Sequence, residues 1–175
     1  MGSFDQLSRR VLELDASLST SMRVAERPGA LRRAAALLAH SGDSWFWLLG
    51  LALVWLLGTD EWKYRALVMA AGILATAVVV MAIKFIVRRQ RPAGEWGQIY
   101  RSTDPHSFPS GHAARAAMLA VLGVALGPGW FGAALLVWAP LVGLARVTMG
   151  VHYLSDVIAG MVLGILMGLA VLQFI

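Results

Sequence analysis

The sequence contains no cysteine and very little charge. Of its 175 residues, only 14% are Asp, Glu, Lys or Arg, whereas 58% are hydrophobic. The lack of cysteine excludes disulfides, thiolate nucleophiles and thiolate metal sites. So few charges cannot cover a water-exposed surface. The solvent of most of the chain is therefore expected to be a lipid bilayer.

Acidic residues and lysine are also scarce. The sequence contains ten Asp and Glu and fifteen Lys and Arg, thirteen of which are Arg, so the net charge is +5. Such a balance suits an anionic membrane surface or a phosphorylated substrate. Nucleic acid is not expected as a partner, because most of the remaining surface would face lipid. Residues 1–27 carry no apolar core of the signal-peptide kind, so membrane insertion must come from later segments.

The hydrophobic pattern predicts an all-α fold, a polytopic transmembrane helix bundle in a single membrane-embedded domain over residues 1–175. The bundle has about five spans, or six if the N-terminal segment adds one, and occupies residues 44–175. The apolar stretches cover residues 45–58, 66–83, 116–126, 130–145 and 157–175.

The N-terminal segment, residues 1–43, is expected to be amphipathic and interfacial. Apolar residues recur there at three- and four-residue steps, from Phe4 to Leu18, with charged residues between them. This spacing predicts a helix with one apolar face. The helix either lies on the membrane surface or packs on the end of the bundle.

Charged residues that interrupt the apolar background fall in three clusters, all at span ends. With five spans, the three clusters lie on the same side of the membrane. Ionisable residues at such depths are costly and often functional. The first cluster contains Lys84 and Arg91, and Pro92 prevents the helix from continuing through Arg91. Ordinary interfacial cations flanking a span are the alternative interpretation.

The second cluster, Pro109 to His112, opens a new span. Ser110 can cap the helix, and Gly111 allows close approach of the backbone. The free N–H groups of the first turn would then face an anion, within reach of His112. A capped helix beside a solvated histidine is the alternative.

The third cluster contains Arg146, His152 and Asp156. If His152 and Asp156 share a helix turn, their spacing of four puts them on one face. Asp156 can then hold one ring nitrogen of His152 while the other is free to attack. A capping Asp beside an interfacial His is the alternative.

Together the clusters indicate a phosphate site. Cations, two histidines, one carboxylate and a helix N-terminus converge at one membrane face, and a phosphate dianion needs such a set of charges. Acidic residues do not cluster with His at metal-ligand spacing, so neither a metal nor a cofactor is predicted. Glu95, Asp104 and His106 are assigned to loop roles.

These residues resemble the signature of the type-2 phosphatidic acid phosphatases, the superfamily that also includes vanadium haloperoxidases. Its three parts read Lys84-FIVRRQ-Arg91-Pro92, Pro109-Ser110-Gly111-His112 and Ala145-Arg146-VTMGV-His152-YLS-Asp156. The family often has Ser in place of Ala145, and it commonly has six spans.

The resemblance implies a role for each signature residue. His152 would be the nucleophile, supported by Asp156, and His112 would protonate the leaving oxygen and later activate water. The phosphate-binding residues implied are Lys84, Arg91, Ser110, Gly111 and Arg146.

The function expected is that of an integral-membrane lipid phosphatase, a hydrolase working through a phosphohistidine intermediate without metal. Its partner is a membrane lipid substrate: a polyprenyl phosphate or diphosphate, phosphatidic acid or phosphatidylglycerophosphate. Residues 93–108, with Trp96, Tyr100 and Arg101, are expected to cover the site. The alternative is a non-catalytic membrane protein that binds lipid phosphates; halide oxidation with vanadate and a structural or transport bundle are further alternatives.

Two indications conflict on the orientation of the chain in the cell membrane. Only Lys63 and Arg65 lie opposite the motif face, so the positive-inside rule predicts a cytoplasmic site. The resemblance implies an extracytoplasmic site, and this is the orientation we expect, because several of the cations bind phosphate and do not report topology.

Overall fold

The computed structural model describes residues 3–94, 96 and 104–175. Within these ranges the regular structure is helical, as the hydrophobic pattern predicts. The helices are α1 (Ser3–Ser21), α2 (Ala30–His40), α3 (Ser44–Leu57), α4 (Asp60–Val87), α5 (Gly111–Leu126), α6 (Gly129–Thr148) and α7 (Leu154–Leu172).

Each of the five apolar stretches forms one helix, α3 to α7. By length and composition, α4, α6 and α7 can each cross a membrane, and α2 with α3, bent by 55° at their break, would make a fourth span. The 14 residues of α3 and 16 of α5 fall short of the roughly 17–25 that a span needs. A helix that starts beside a polar cavity can be shorter, because the cavity, rather than lipid, surrounds its end.

The centre of the bundle is α5, which packs on α4, α6 and α7. Its contact with α7 is very close, because Gly160, Gly164 and Gly168 face it at four-residue steps. A Cβ at Gly160 would collide with the carbonyl oxygen of Ser110, and one at Gly164 with that of Ala114. Small residues at this spacing let helix backbones approach in a membrane.

The N-terminal helix α1 turns its polar side chains toward the bundle. Ser19 Oγ accepts a hydrogen bond from the Leu154 amide at 2.8 Å, and Asp15 Oδ1 accepts one from the Ser155 amide at 3.0 Å. The apolar side chains Leu7, Val11, Leu14 and Leu18 are exposed. The helix α1 therefore packs on the start of α7, as one of the two interpretations predicted, and the apolar face that it presents outward would suit the interfacial position predicted by the other.

Removing the Asp15 carboxylate should loosen α1. Asp15 forms a 2.7 Å ion pair with Arg89 and also accepts from the hydroxyl and amide of Ser155. For Asp15→Ala we expect the unfolding temperature in detergent to fall on the order of 5 °C, because a partly buried ion pair loses one partner. Glu13→Ala, on the exposed face of the same helix, is the matched control. Equal unfolding temperatures for the two variants would contradict the docking role of Asp15.

Candidate active site

A cavity of about 230 Å³ lies at the end of the bundle where α4 and α6 end and α5 begins. The structure brings all three sequence clusters to it. Six of the eight predicted site residues line the cavity: Lys84, Arg91, Gly111, His112, Arg146 and His152. The other two, Ser110 and Asp156, are buried close behind it.

His152 lies in the turn between α6 and α7, with only 1% of its surface exposed. Its Nε2 atom is 3.1 Å from Nη1 of Arg91, and its Nδ1 atom is 3.5 Å from Oδ2 of Asp156. A guanidinium can only donate, so the Arg91 contact needs a lone pair on Nε2. The ring proton then sits on Nδ1, toward the carboxylate.

The His152 ring is neutral in this environment. Burial, followed by the positive charges of Arg91 and Arg146, holds the pKa of His152 well below its usual value. A neutral imidazole with its Nε2 lone pair turned toward a cation-lined cavity has the protonation state that a nitrogen nucleophile requires.

Asp156 is fixed by the start of α7. The sequence spacing suggested that it shares a helical turn with His152, but α7 begins at Leu154, and Asp156 instead forms a capping box with Tyr153. Its Oδ2 accepts from the Tyr153 amide at 2.9 Å, and its Oδ1 accepts from Nη1 of Arg89 at 2.8 Å. The role of Arg89 was not predicted, because in the sequence it looks like one of several cations that follow a span.

His112 has a partner that the sequence did not reveal. Its Nε2 atom lies 2.7 Å from Oδ1 of Asp43, a residue 69 positions earlier in the chain. The other carboxylate oxygen of Asp43 is 3.1 Å from Nδ1 of His40. With Nε2 engaged by Asp43, Nδ1 is the ring nitrogen of His112 that can exchange a proton with a bound group.

The turn between α2 and α3 presents Asp43 to His112. Its backbone is held by the Trp47 indole, which donates to the Ser41 carbonyl at 2.9 Å, and by Arg115, which donates to the Gly42 carbonyl. The Trp138 indole donates to the Ser41 hydroxyl at 2.8 Å. From sequence, Asp43 reads as part of a capped turn; it does take the N-cap position of α3, without a side-chain capping bond.

Ser110 caps α5 as predicted, since its hydroxyl accepts from the Ala113 amide. Its own amide, which we expected to face the phosphate, donates instead to the backbone oxygen of Asp156 at 2.9 Å. This bond ties the start of α5 to the start of α7. Gly111, the first residue of α5, is the part of the helix N-terminus that lines the cavity.

The predicted cover of the site is only partly described. Trp96 lies against the guanidinium of Arg32, 4.9 Å from ring centroid to Cζ, and so packs toward α2. Tyr100, Arg101 and Glu95 lie outside the described residues. His106 pairs with Gln90 through an isolated backbone bridge, in keeping with a loop role. Within the described ranges, no three His, Asp or Glu side chains are grouped so that they could hold a metal ion.

The sequence profile of the PAP2 superfamily matches residues 65–175, which include every signature residue of the cavity. The chain belongs to this superfamily. It is an integral-membrane phosphatase, a hydrolase of phosphoric ester bonds, like its relatives.

Among curated relatives of this PAP2 protein are decaprenylphosphoryl-5-phosphoribose phosphatases of two mycobacteria. The Mycobacterium tuberculosis protein is 32% identical over 157 residues, which cover 89% of this chain and 86% of the relative. The Mycolicibacterium smegmatis protein is 37% identical over 138 residues, covering 78% and 74%.

Two crystal structures share the fold of this PAP2 protein. A transmembrane PAP2-type phosphatidylglycerolphosphate phosphatase from Bacillus subtilis matches with a TM-score of 0.75 and 27% identity, over 94% of this chain and 86% of that one. Aquifex aeolicus LpxE matches with a TM-score of 0.70 and 24% identity, over 88% and 93%.

Asp104 lies in a loop, as assigned, but its side chain also lines the cavity of the PAP2 protein, which the sequence did not indicate. Its carboxylate forms ion pairs with Lys84 and, at 2.7 Å, with Nη2 of Arg91. Burial raises the pKa of Asp104, but its bonds to Lys84 and the charge of Arg91 outweigh burial and lower it overall. The ionised carboxylate thus pairs with Lys84 and Arg91, two of the cations that would bind a phosphate.

Replacing Asp104 with Asn should strengthen the binding of phosphate analogues. Asn cannot compete as an anion for Lys84 and Arg91, so a bound oxyanion gains both. We expect the inhibition constant of vanadate, measured by phosphate release from a short-chain lipid phosphate, to fall about tenfold. Asp60→Asn removes an exposed charge at the far end of α4 and is the control. An unchanged or higher constant for Asp104→Asn would mean that Asp104 organises the cations and does not compete.

Proposed function

We propose that this phosphatase removes the terminal phosphate of a polyprenyl-linked phosphosugar through a phosphohistidine intermediate, without a metal ion. The observation that carries the proposal is the placement of His152: a buried imidazole between Asp156, 3.5 Å from Nδ1, and Arg91, 3.1 Å from Nε2, in a cavity that Lys84 and Arg146 also line. A non-catalytic phosphate-binding protein would need the cations alone.

In the first step Arg91 moves its hydrogen bond from His152 Nε2 to a phosphate oxygen, the freed Nε2 lone pair attacks phosphorus, and the bond from phosphorus to the alcohol oxygen breaks. His112, which takes up a proton when the phosphate dianion binds beside it, gives that proton to the oxygen, so the alcohol leaves neutral. The Nδ1 proton of His152 stays beside Asp156, which stabilises the positive charge that develops on the ring.

In the second step water attacks phosphorus while His112 takes a proton from it. The phosphorus–nitrogen bond breaks, which releases inorganic phosphate and restores neutral His152 and protonated His112. Throughout, Lys84, Arg91, Arg146 and the Gly111 amide hold the equatorial oxygens, and this cationic set supplies the charge stabilisation that a metal provides in other phosphatases. Ser110 holds the start of α5 in place.

The exposed side of α4 beside the cavity supports access from the bilayer. Met81 on α4 lines the cavity and is 43% exposed, and Val78, one turn earlier, is 70% exposed. An opening between the helices at this point would admit a lipid head group while its chain stays in the membrane. We take the substrate class from the mycobacterial relatives, which are named for decaprenylphosphoryl-5-phosphoribose.

The decisive measurement is phosphate release by purified protein in the presence of EDTA. We expect turnover of a polyprenylphosphoryl-5-phosphoribose that exceeds turnover of phosphatidylglycerophosphate, phosphatidic acid and soluble sugar phosphates. His152→Gln should lose activity by at least about a thousandfold, because the nucleophile is gone.

The same assay can refute the proposal in two separate ways. Loss of wild-type activity in EDTA, with recovery on adding Mg²⁺, would overturn the metal-independent mechanism. Faster turnover of phosphatidylglycerophosphate would reassign the substrate and leave the mechanism standing.

We further propose that the cavity faces the extracytoplasmic side. The N-terminal cations that argued for a cytoplasmic face are partly engaged in the fold: Arg23 donates to the Ala93 carbonyl at 2.6 Å, and Arg32 to the Glu26 carbonyl at 3.1 Å. Cations that are bound within the fold are weaker indicators of a cytoplasmic face under the positive-inside rule.

Cysteine labelling tests this orientation, since the chain has no cysteine of its own. Glu13→Cys places a thiol on α1 at the cavity end, and Asp60→Cys places one at the opposite end of α4. In intact cells a membrane-impermeant maleimide should label residue 13 and not residue 60, because the reagent reaches only thiols on the extracytoplasmic side of the membrane. The reverse pattern would place the cavity in the cytoplasm.

A further inference from the structure

One side of the cavity is not used by the proposed chemistry. It is formed by Ser44 at the start of α3, Thr76 on α4 and Arg115 on α5. None of the three belongs to the signature, yet all are polar in a bundle that is otherwise strongly apolar. Polar residues at membrane depth are retained where they serve a function.

Thr76 is the most unusual of the three. It is only 1% exposed, and its Oγ1 atom has no hydrogen-bond partner among residues 3–94, 96 and 104–175. A helical Thr hydroxyl commonly bonds the carbonyl four residues earlier, and buried polar atoms are rarely left unsatisfied. Thr76 also lines the cavity, so a rotation about its Cα–Cβ bond would bring the buried hydroxyl to a group bound there.

Arg115 adds a positive charge to the lining of the same cavity. One of its nitrogens donates to the Gly42 carbonyl, but a guanidinium carries five N–H donors. Among the residues that the structure describes, the cavity wall holds four cations, Arg115 included, and one carboxylate, that of Asp104. The charge of Asp43 offsets part of this set, and the remaining N–H donors of Arg115 can bind a second anionic group beside the reacting phosphate.

The spacing along α4 also fits two groups. Thr76 and Lys84 are eight residues apart, about 12 Å along the helix axis. Side chains of a helix lean toward its N-terminus, so the Lys84 ammonium reaches back and shortens the gap. A pentose with one phosphate at each end is a head group of comparable length.

We propose that Ser44, Thr76 and Arg115 form a second anion subsite, which binds the phosphodiester linking the sugar to the polyprenyl chain. The inference rests on the proposed function and specifies how that substrate is recognised. Thr76 donates one hydrogen bond to a diester oxygen, and Arg115 supplies the charge. The subsite would hold the lipid-side phosphate while the terminal phosphate meets His152.

A pair of substrates isolates the subsite. The first is a short-chain polyprenylphosphoryl-5-phosphoribose; the second is the matching polyprenyl 5-phosphoriboside, in which a glycosidic oxygen replaces the linking phosphate. For Thr76→Val, which keeps the shape and removes the hydroxyl, we expect kcat/KM on the first substrate to fall about tenfold, mostly through KM. The loss on the second should be much smaller, so the ratio of the two values changes.

Three further variants control the comparison. Thr76→Ser should restore the ratio, because it restores the donor, and Thr76→Ala covers the case in which Val does not fold. Thr148→Val removes a hydroxyl that bonds the Ala145 carbonyl of its own helix, and it should keep the wild-type ratio.

The outcomes separate the two proposals. Equal losses on both substrates, or no loss on either, would overturn the subsite while leaving the proposed function intact. If the wild type releases phosphate from neither substrate but does so from phosphatidylglycerophosphate, the proposed substrate is wrong and the subsite falls with it.

Discussion

The close contact between α5 and α7 is the constraint on which the rest of the structure depends. Side chains larger than hydrogen at Gly160 and Gly164 would strike the α5 backbone and push the helices apart. Because Ser110 also donates its amide to Asp156, the first turns of both helices are tied at the same level. That tie sets the start of α5, with His112, beside the start of α7, which His152 immediately precedes.

Around this contact, carboxylates hold the charged groups in place. Asp156 faces His152 and Arg89, Asp43 faces His112, and Asp104 bridges Lys84 and Arg91. Charges at membrane depth are costly unless they are paired, so each group that would act on phosphate has an internal partner. Of the three, Asp104 pairs with two of the cations proposed to bind phosphate.

The cavity contains two groups of residues, one proposed to carry out the hydrolysis and one proposed to bind the head group. The signature residues converge on the reacting phosphate, while Thr76 and Arg115 come from helix positions that no chemical step requires. A lipid that enters between α3 and α4 would pass this second group first. Recognition of the head group and hydrolysis of its terminal phosphate could therefore be tuned separately by substitutions on different helices.

The sequence by itself determined the helical class, the five core helices and the convergence of Lys84, Arg91, His112, Arg146 and His152, because hydrophobic runs and motif spacing are local properties. Only the tertiary structure decided which carboxylate serves which group. Asp43 lies 69 residues from His112, and Asp15 lies 74 from Arg89. Such pairs depend on how α1 and the turn between α2 and α3 pack against the bundle. This packing produces no periodic pattern of residues in the sequence.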